Sequence, residues 1–285
     1  MPLNDRERTE IDRANESGRP PVVFIHGLWL LADSWDRWRR MFEDQGYSTI
    51  APGWPDEPAS IHEARANPEV FAGKSVQAVT HHYLDAVRAL DRAPAIIGHS
   101  FGGLIAQQLA GIGAATVTVS IDPAPGRGVL PIPPAALKAG FPVLRNPLNL
   151  RRSVTLTVDE FRYGWANALD DEEGRRLYDE YHVAASGIPI YQAATGNLNP
   201  RTQTRVDYTA SNRGPMLIIS GQKDHAVPPA MAHAAYKKQS KNSAVTQFVE
   251  LPDRGHSLII DHGWEEVGTT ALDFVQRHWE DGSGS

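Results

Sequence analysis

Short apolar runs alternate along the chain with segments in which apolar residues recur every three or four positions, which predicts strands alternating with helices. Val22-Val23-Phe24-Ile25 is a continuous apolar run, the pattern of a strand buried on both faces of a parallel sheet. Ala95 to Ile97, Tyr47 to Ala51, Thr116 to Ile121, Met216 to Ile219 and Val245 to Leu251 read as further strands. Between them, Trp35, Trp38, Met41 and Phe42 share a helical face, with Asp33 or Ser34 placed to cap that helix and Gly46 to close it. Val76, Val79, Tyr83, Ala86 and Leu90 follow a Ser75 cap, and Leu104, Ile105 and Leu109 mark the next helix. Residues 229–238 and the face Trp264, Val267, Ala271, Phe274, Val275 and His278 give two more. The fold class that results is α/β, a doubly wound, mostly parallel sheet flanked by helices, with ligands received at the carboxyl ends of the strands.

Residues 124–212 break the alternation. They open Pro-rich and then read as helical: Thr157 with Glu160 and Asp170 with Glu173 have capping-box spacing, Phe161, Trp165, Ala168 and Leu169 form one apolar face, and Leu177, Tyr181 and Ala184 another. This predicts a helical cap inserted after the fourth strand. The expected plan is therefore a core of 21–123 and 213–280, a cap of 124–212, an N-terminal arm of 1–20 and a Gly/Ser tail of 281–285. The arm mixes both charge signs with little apolar periodicity, so a frayed helix or disordered segment is expected.

At 285 residues, 41% hydrophobic and 22% charged, the chain suffices for one large α/β domain with an insertion. A net charge of -6 without a Lys/Arg block argues against a nucleic-acid partner. No stretch approaches the roughly 20 apolar residues of a membrane helix, and the first residues are charged where a signal peptide is apolar. No membrane partner and a cytoplasmic location are expected. With no cysteine, disulfides, thiolate metal sites and cysteine nucleophiles are excluded. His81-His82 and His62-Glu63 lack a third ligand at metal spacing, so neither a metal nor a cofactor is expected. Nothing sets an oligomeric state.

The chemistry concentrates at Gly98-His99-Ser100-Phe101-Gly102-Gly103, between a strand and a helix. A G-x-S-x-G turn presents a serine hydroxyl in backbone space that only glycines fit, at a helix N-terminus that favours an oxyanion. A serine hydroxyl is a weak nucleophile at neutral pH, so it needs a base, and the base an orienting acid. The strand at 216–220 runs into Asp224, and the strand at 245–251 runs into His256. Three strands deliver three residues to one edge of the sheet.

With His26-Gly27 after the first strand, the GHSFGG turn, the Gly-x-x-Asp-x-x-Val-Pro stretch from Gly221 to Pro228, and Gly255-His256, the chain resembles the α/β-hydrolase superfamily in its capped, serine-nucleophile esterase branch, from about residue 21 to 279. The resemblance implies Ser100 as nucleophile, His256 as general base and then acid, Asp224 as orienting acid, and the backbone N–H groups of Leu28 and Phe101 as oxyanion hole. Asp122, after the strand that follows the turn, is the alternative acid. Two features depart from the family: the antiparallel strand pair usual before the first parallel strand is missing or reduced, and Pro52-Gly53-Trp54-Pro55 replaces an Arg-Gly loop.

His26, His99 and His225 are expected to be structural, the first two through hydrogen bonds. Trp29, Trp165 and Phe161, with Phe101, are the candidate acyl-pocket residues. The implied reaction is hydrolysis of a small-molecule carboxylic ester through an acyl-serine. Lactone hydrolysis and cofactor-free perhydrolase or haloperoxidase-like chemistry use the same groups, a hydroxynitrile-lyase-type reaction would use the triad as a base, and a ligand-binding module could keep the pocket without turnover.

Overall fold

Six strands, every pairing parallel, form the central sheet of the computed structural model, which describes residues 2–279. The tail expected at 281–285 lies outside the described residues. In chain order the first elements are α1 (Asp5–Ser17), β1 (Pro21–Ile25), α2 (Asp36–Asp44), β2 (Ser48–Ile50), α3 (Ile61–Ala66), α4 (Val76–Arg88), β3 (Ala95–His99), α5 (Phe101–Ala110) and β4 (Val117–Ile121). The interrupting segment carries α6 (Pro134–Leu144), β5 (Ser153–Val154), α7 (Val158–Gly164), α8 (Asp171–Tyr181), β6 (Ala185–Ser186) and α9 (Ile188–Thr195). Then come β7 (Met216–Gly221), α10 (Pro229–Gln239), β8 (Thr246–Leu251) and α11 (Trp264–His278).

The sheet order is β2-β1-β3-β4-β7-β8. All residues of β1, β3, β4 and β7 are buried, which is why β1 is continuously apolar and why even the alternating Thr118 and Ser120 of β4 are enclosed. Edge strand β8 is only partly covered and mixes polar with apolar residues. Successive side chains point to opposite faces: Met216 and Ile218 pack with Met231 and Ala232 of α10, while Leu217 and Ile219 join the cluster that holds Val267, Ala271 and Val275 of α11. Helices thus cover both faces. The chain places β2 on one side of β1 and β3 on the other, so the winding reverses between β1 and β3, where doubly wound sheets form their ligand crevice.

Ser75 caps α4 by accepting from the Ala78 N–H, and Gly46 takes the positive φ expected after α2. The start of α2 differs from expectation. It begins at Asp36 after a 3-10 turn over Ala32–Trp35, and Ser34 Oγ donates to the Leu31 carbonyl instead of capping.

The N-terminal segment departs further, because α1 is a formed helix with a capping box between Asn4 and Glu7 and a left-handed Gly18 at its end. Ile11 and Ala14 are buried, and Glu7 lies buried with its Oε1 2.9 Å from His82 Nε2. The expected frayed or disordered arm is instead a docked helix. Its buried stripe has two apolar residues and a carboxylate, too sparse for an apolar periodicity to register. Among the described residues no strand precedes β1, and α1 occupies that part of the chain.

Within 124–212, the expected capping box of Thr157 and Glu160 forms both its bonds. At α8 only half of one forms: Asp170 accepts from the Glu173 N–H, but the Glu173 carboxylate turns to His262, 2.7 Å from Nδ1. That contact ties the insertion to the segment before α11. The insertion also contains the antiparallel pair β5-β6, which a purely helical reading omits.

Candidate active site

Strand β3 ends at His99 and α5 starts at Phe101, so Ser100 alone makes the turn. Its backbone sits at φ 57, ψ -119, a region that residues with a Cβ avoid. Neighbouring backbone holds it there: the Ser100 N–H donates to the Ile121 carbonyl at 2.9 Å, and the Ser100 carbonyl accepts from Leu104 and Ala124. The flanking glycines are required by close approach, since a Cβ on Gly98 would lie 2.1 Å from the Gly102 carbonyl oxygen and one on Gly102 would lie 2.0 Å from that of Ile25. Phe101 is the first residue of α5, and its N–H has no carbonyl four residues back within the helix to receive it. From the β1 side Gly27 touches the serine, a Cβ there falling 2.7 Å from Ser100 Cβ, and Leu28 is the residue that follows it.

The loop after β1 is fastened by a carboxylate the sequence pattern does not reveal. Glu57 accepts from the Ala32 and Trp54 N–H groups and stands 2.7 Å from His26 Nε2, while His26 Nδ1 is 2.8 Å from the Gly27 carbonyl. Trp29 has positive φ, donates from Nε1 to the Val154 carbonyl, and accepts at its own carbonyl from the Val183 N–H. The loop is thereby joined to the insertion.

Asp224 follows β7 and His256 follows β8. The Asp224 Oδ1 accepts from the Val227 N–H at 2.8 Å, which aims Oδ2 at His256 Nδ1, 2.6 Å away. Both side chains are buried. That contact leaves Nε2 as the nitrogen available for proton transfer. Ser100 and His256 line one cavity of about 90 Å³. No hydrogen bond joins Ser100 Oγ to His256 among the described residues, and such bonds commonly close only around substrate.

Asp122, the alternative acid, is also buried here. Its Oδ1 accepts from the Gly221 N–H at 2.8 Å. Burial, and then the nearby Asp224 charge, push its carboxyl well above the ordinary range. His99 differs from expectation: neither ring nitrogen has a partner at hydrogen-bond geometry, and the ring instead packs 4.6 Å from that of His256 and 5.4 Å from that of Trp165. Burial, reinforced by His256, holds His99 well below the usual imidazole range, so it stays neutral at neutral pH. One ligand atom each from His99, Asp122 and His256 lie within 4.8 Å of one another. His225 turns away, with Nδ1 3.0 Å from the Tyr163 carbonyl.

Trp165, Trp29 and Phe101 line the cavity, and so do Ile132, Leu137 and Leu144 of the insertion. Phe161 does not. It is fully buried behind Trp165, stacked on it at 5.8 Å, and belongs to the core of the insertion. The Trp165 ring meets the His256 ring edge-on at 4.6 Å, its carbonyl accepts from the Ser257 N–H, and Asn167 Nδ2 donates to the Lys223 carbonyl. The insertion therefore straps down both the loop that carries the acid and the loop that carries the imidazole.

Residues 22–269 match the model of a family described as the alpha/beta hydrolase family. A non-heme chloroperoxidase of Streptomyces lividans is 27% identical over 90% of this chain and 91% of its own length, and one of Burkholderia pyrrocinia 26% identical over the same shares. Among solved structures, the monoacylglycerol lipase of Paleococcus ferrophilus superposes with a TM-score of 0.65 at 17% identity, covering 92% of this chain and 96% of that one. A thermophilic esterase from Thermogutta terrifontis gives 0.61 at 18%, covering 91% and 90%. The structural likenesses speak for the fold, and the family match spans the sheet, the serine turn and both loops that follow β7 and β8. The chain belongs to the α/β-hydrolase family.

Proposed function

We propose that the protein hydrolyses small carboxylic esters through an acyl-Ser100 intermediate. The observation that carries this reading is the buried 2.6 Å contact between Asp224 and His256 beside a cavity that Ser100 also lines. In the first half-reaction His256 Nε2 takes the Ser100 proton as Oγ bonds to the ester carbonyl carbon. The same proton then passes to the departing alcohol. The Leu28 and Phe101 N–H groups receive the oxyanion, each such donor being worth about 10²–10³ in turnover. Water, deprotonated by His256, releases the acid and restores Ser100. Apart from Ser100, His256 and Glu160 the cavity lining is apolar, so the acyl or alcohol portion held by the cap is lipophilic.

A serine-directed phosphonate is expected to label Ser100 stoichiometrically and to leave the Ser100→Ala protein unlabelled. A chain-length series of nitrophenyl esters with a lactone panel then sizes the pocket. An unlabelled wild-type protein would remove the reading in favour of a binding module.

The two relatives named as chloroperoxidases favour a second reading. Hydrogen peroxide in place of water on acyl-Ser100 would give a peracid and free serine, and the peracid would oxidise halide away from the protein. Peroxide-dependent bromination that disappears in Ser100→Ala is its expected signature.

A further inference from the structure

The segment between Asp122 and Asp159 contains no acidic residue and carries Arg127, Lys138, Arg145, Arg151 and Arg152. It is therefore +5 in a chain of net charge -6, which leaves -11 for the remainder. The same segment and its neighbour expose the apolar side chains Leu130, Leu137, Phe141, Leu148, Leu150 and Leu198, six of the eight large hydrophobic residues that stand exposed among the described residues. Scattered exposed leucines need no explanation, but six confined to one insertion do.

These residues are joined by structure as well as by sequence. Leu137 and Phe141 are one turn apart on α6. Leu148 and Leu150 lie on the 3-10 turn Pro147–Arg151, which Asn149 Nδ2 fastens to the Val143 carbonyl at the end of α6. Asn197 accepts from the Gly128 N–H and donates to the Val129 carbonyl, which ties the stretch before Leu198 to the stretch before Leu130. Lys138, Arg151 and Arg152 are exposed and form no ion pair with a carboxylate among the described residues. Leu137 belongs to this surface and to the cavity lining at once, so the patch is continuous with the cavity that contains Ser100.

We propose that the outer face of α6 and the turn after it form a docking surface for an anionic lipid interface, with apolar side chains entering the acyl boundary and Arg151 and Arg152 meeting the headgroups, while Lys138 Nζ lies over the Tyr163 ring at 3.9 Å. Arg145 is paired with Glu160 at 3.5 Å, while Arg151 and Arg152 next to the exposed leucines have no carboxylate partner among the described residues. Exposed apolar side chains beside such basic residues are what this kind of interface recognises. A second copy of the chain docked through the same face would have to set Lys138, Arg151 and Arg152 against their own equivalents. No helix among the described residues is long and apolar enough to cross a membrane, so the attachment is to the surface. The proposal departs from the expectation, drawn from the sequence, that no membrane is a partner.

The test is sedimentation of the full chain with vesicles, and because it reads binding alone its outcome is separate from that of the esterase reading. Ser100→Ala protein can be used throughout. Vesicles of phosphatidylcholine with a third phosphatidylglycerol should pull the protein down at low salt and release it at high salt, whereas phosphatidylcholine alone should not. Each basic residue near such a surface is worth about fivefold in partitioning, so R151E/R152E is expected to weaken it at least about 25-fold. F141S/L148S should abolish it. Both variants should keep the wild-type unfolding midpoint and, in the Ser100 background, the rate on a soluble short-chain ester. Failure to sediment with anionic vesicles would overturn the proposal. So would salt-insensitive binding that R151E/R152E leaves unchanged, or a dimer in sedimentation velocity that F141S/L148S dissolves.

Discussion

Asp122 Oδ1 accepts a 2.8 Å hydrogen bond from the Gly221 N–H, which turns the acid at the end of β4 into the backbone of the neighbouring strand, three residues before the acid that bonds His256. Burial and the charge of Asp224 both favour its neutral form. In the proposed reaction the orienting acid is therefore Asp224, which contacts His256 Nδ1 at 2.6 Å. Asp224→Asn is expected to lower kcat/KM by about 10⁴, because the amide no longer holds the imidazole in the required tautomer. Asp122→Asn keeps an acceptor for Gly221 and should stay within about tenfold of wild type, the worth of one hydrogen bond. Steady-state kinetics on one ester separate the two, and the reverse order would assign the acid to Asp122.

The backbone of Ser100, at φ 57 and ψ -119, lies in a region that a residue with a Cβ enters only under strain. Such conformations cost about 1–3 kcal/mol. Ser100→Gly relieves the strain and Ser100→Ala keeps it, while both remove the proposed nucleophile. After the flexibility of glycine in the unfolded chain is subtracted, Ser100→Gly should be the more stable of the pair by about 1 kcal/mol. Denaturant unfolding of the two inactive variants measures this directly, and equal midpoints would mean that the turn is unstrained.

What could be read in advance and what could not divide along a physical line. The strands, the serine turn, and the positions of Asp224 and His256 at strand ends are local in sequence: each is an apolar run that stops at a turn residue. Pairings across long sequence separations leave no such trace. Glu57 fastens His26 from 31 residues away, Glu7 meets His82 across 75, and Glu173 abandons its own helix cap for His262 across 89. Phe161 and Trp165 share a helical face, yet only Trp165 reaches the cavity, because Phe161 lies behind it. Periodicity identifies which face of a helix is buried and is silent on what that face meets.

Glu7 is the clearest consequence of such a pairing. Its carboxylate accepts from the Asn4 and Gly53 N–H groups and lies 2.9 Å from His82 Nε2. Burial pushes its pKa up, but these bonds, His82 foremost, hold it below the ordinary value. Removing one partner of a buried pair costs about 3–5 kcal/mol. Glu7→Ala is expected to cost that much, whereas adding His82→Leu to Glu7→Ala should cost little more. A double-mutant cycle by urea unfolding checks it, and strictly additive losses would show that the two side chains are uncoupled.

His182 gives the pH dependence its sign. Its Nε2 accepts from the Leu156 N–H at 3.1 Å, and its ring stacks 4.6 Å from that of Tyr178 and lies tilted 5.5 Å from that of Phe161. Burial, with Arg65 adding its charge, lowers its pKa from the ordinary 6.5 to about 3. In the unfolded chain the imidazole takes a proton near pH 6.5, while in the folded protein it remains neutral far below that. The stability it contributes is present above pH 6.5 and is lost as the pH falls toward about 3. The loss reaches about 2 kcal/mol by pH 5, and neutral, buried His99 adds a loss of the same sign. His182→Gln keeps an acceptor for Leu156 and cannot titrate, so its stability should fall less between pH 7 and pH 5 than that of the wild type, by about 2 kcal/mol. Urea unfolding at the two pH values reads the difference, and parallel losses in both proteins would mean that His182 is protonated as readily folded as unfolded.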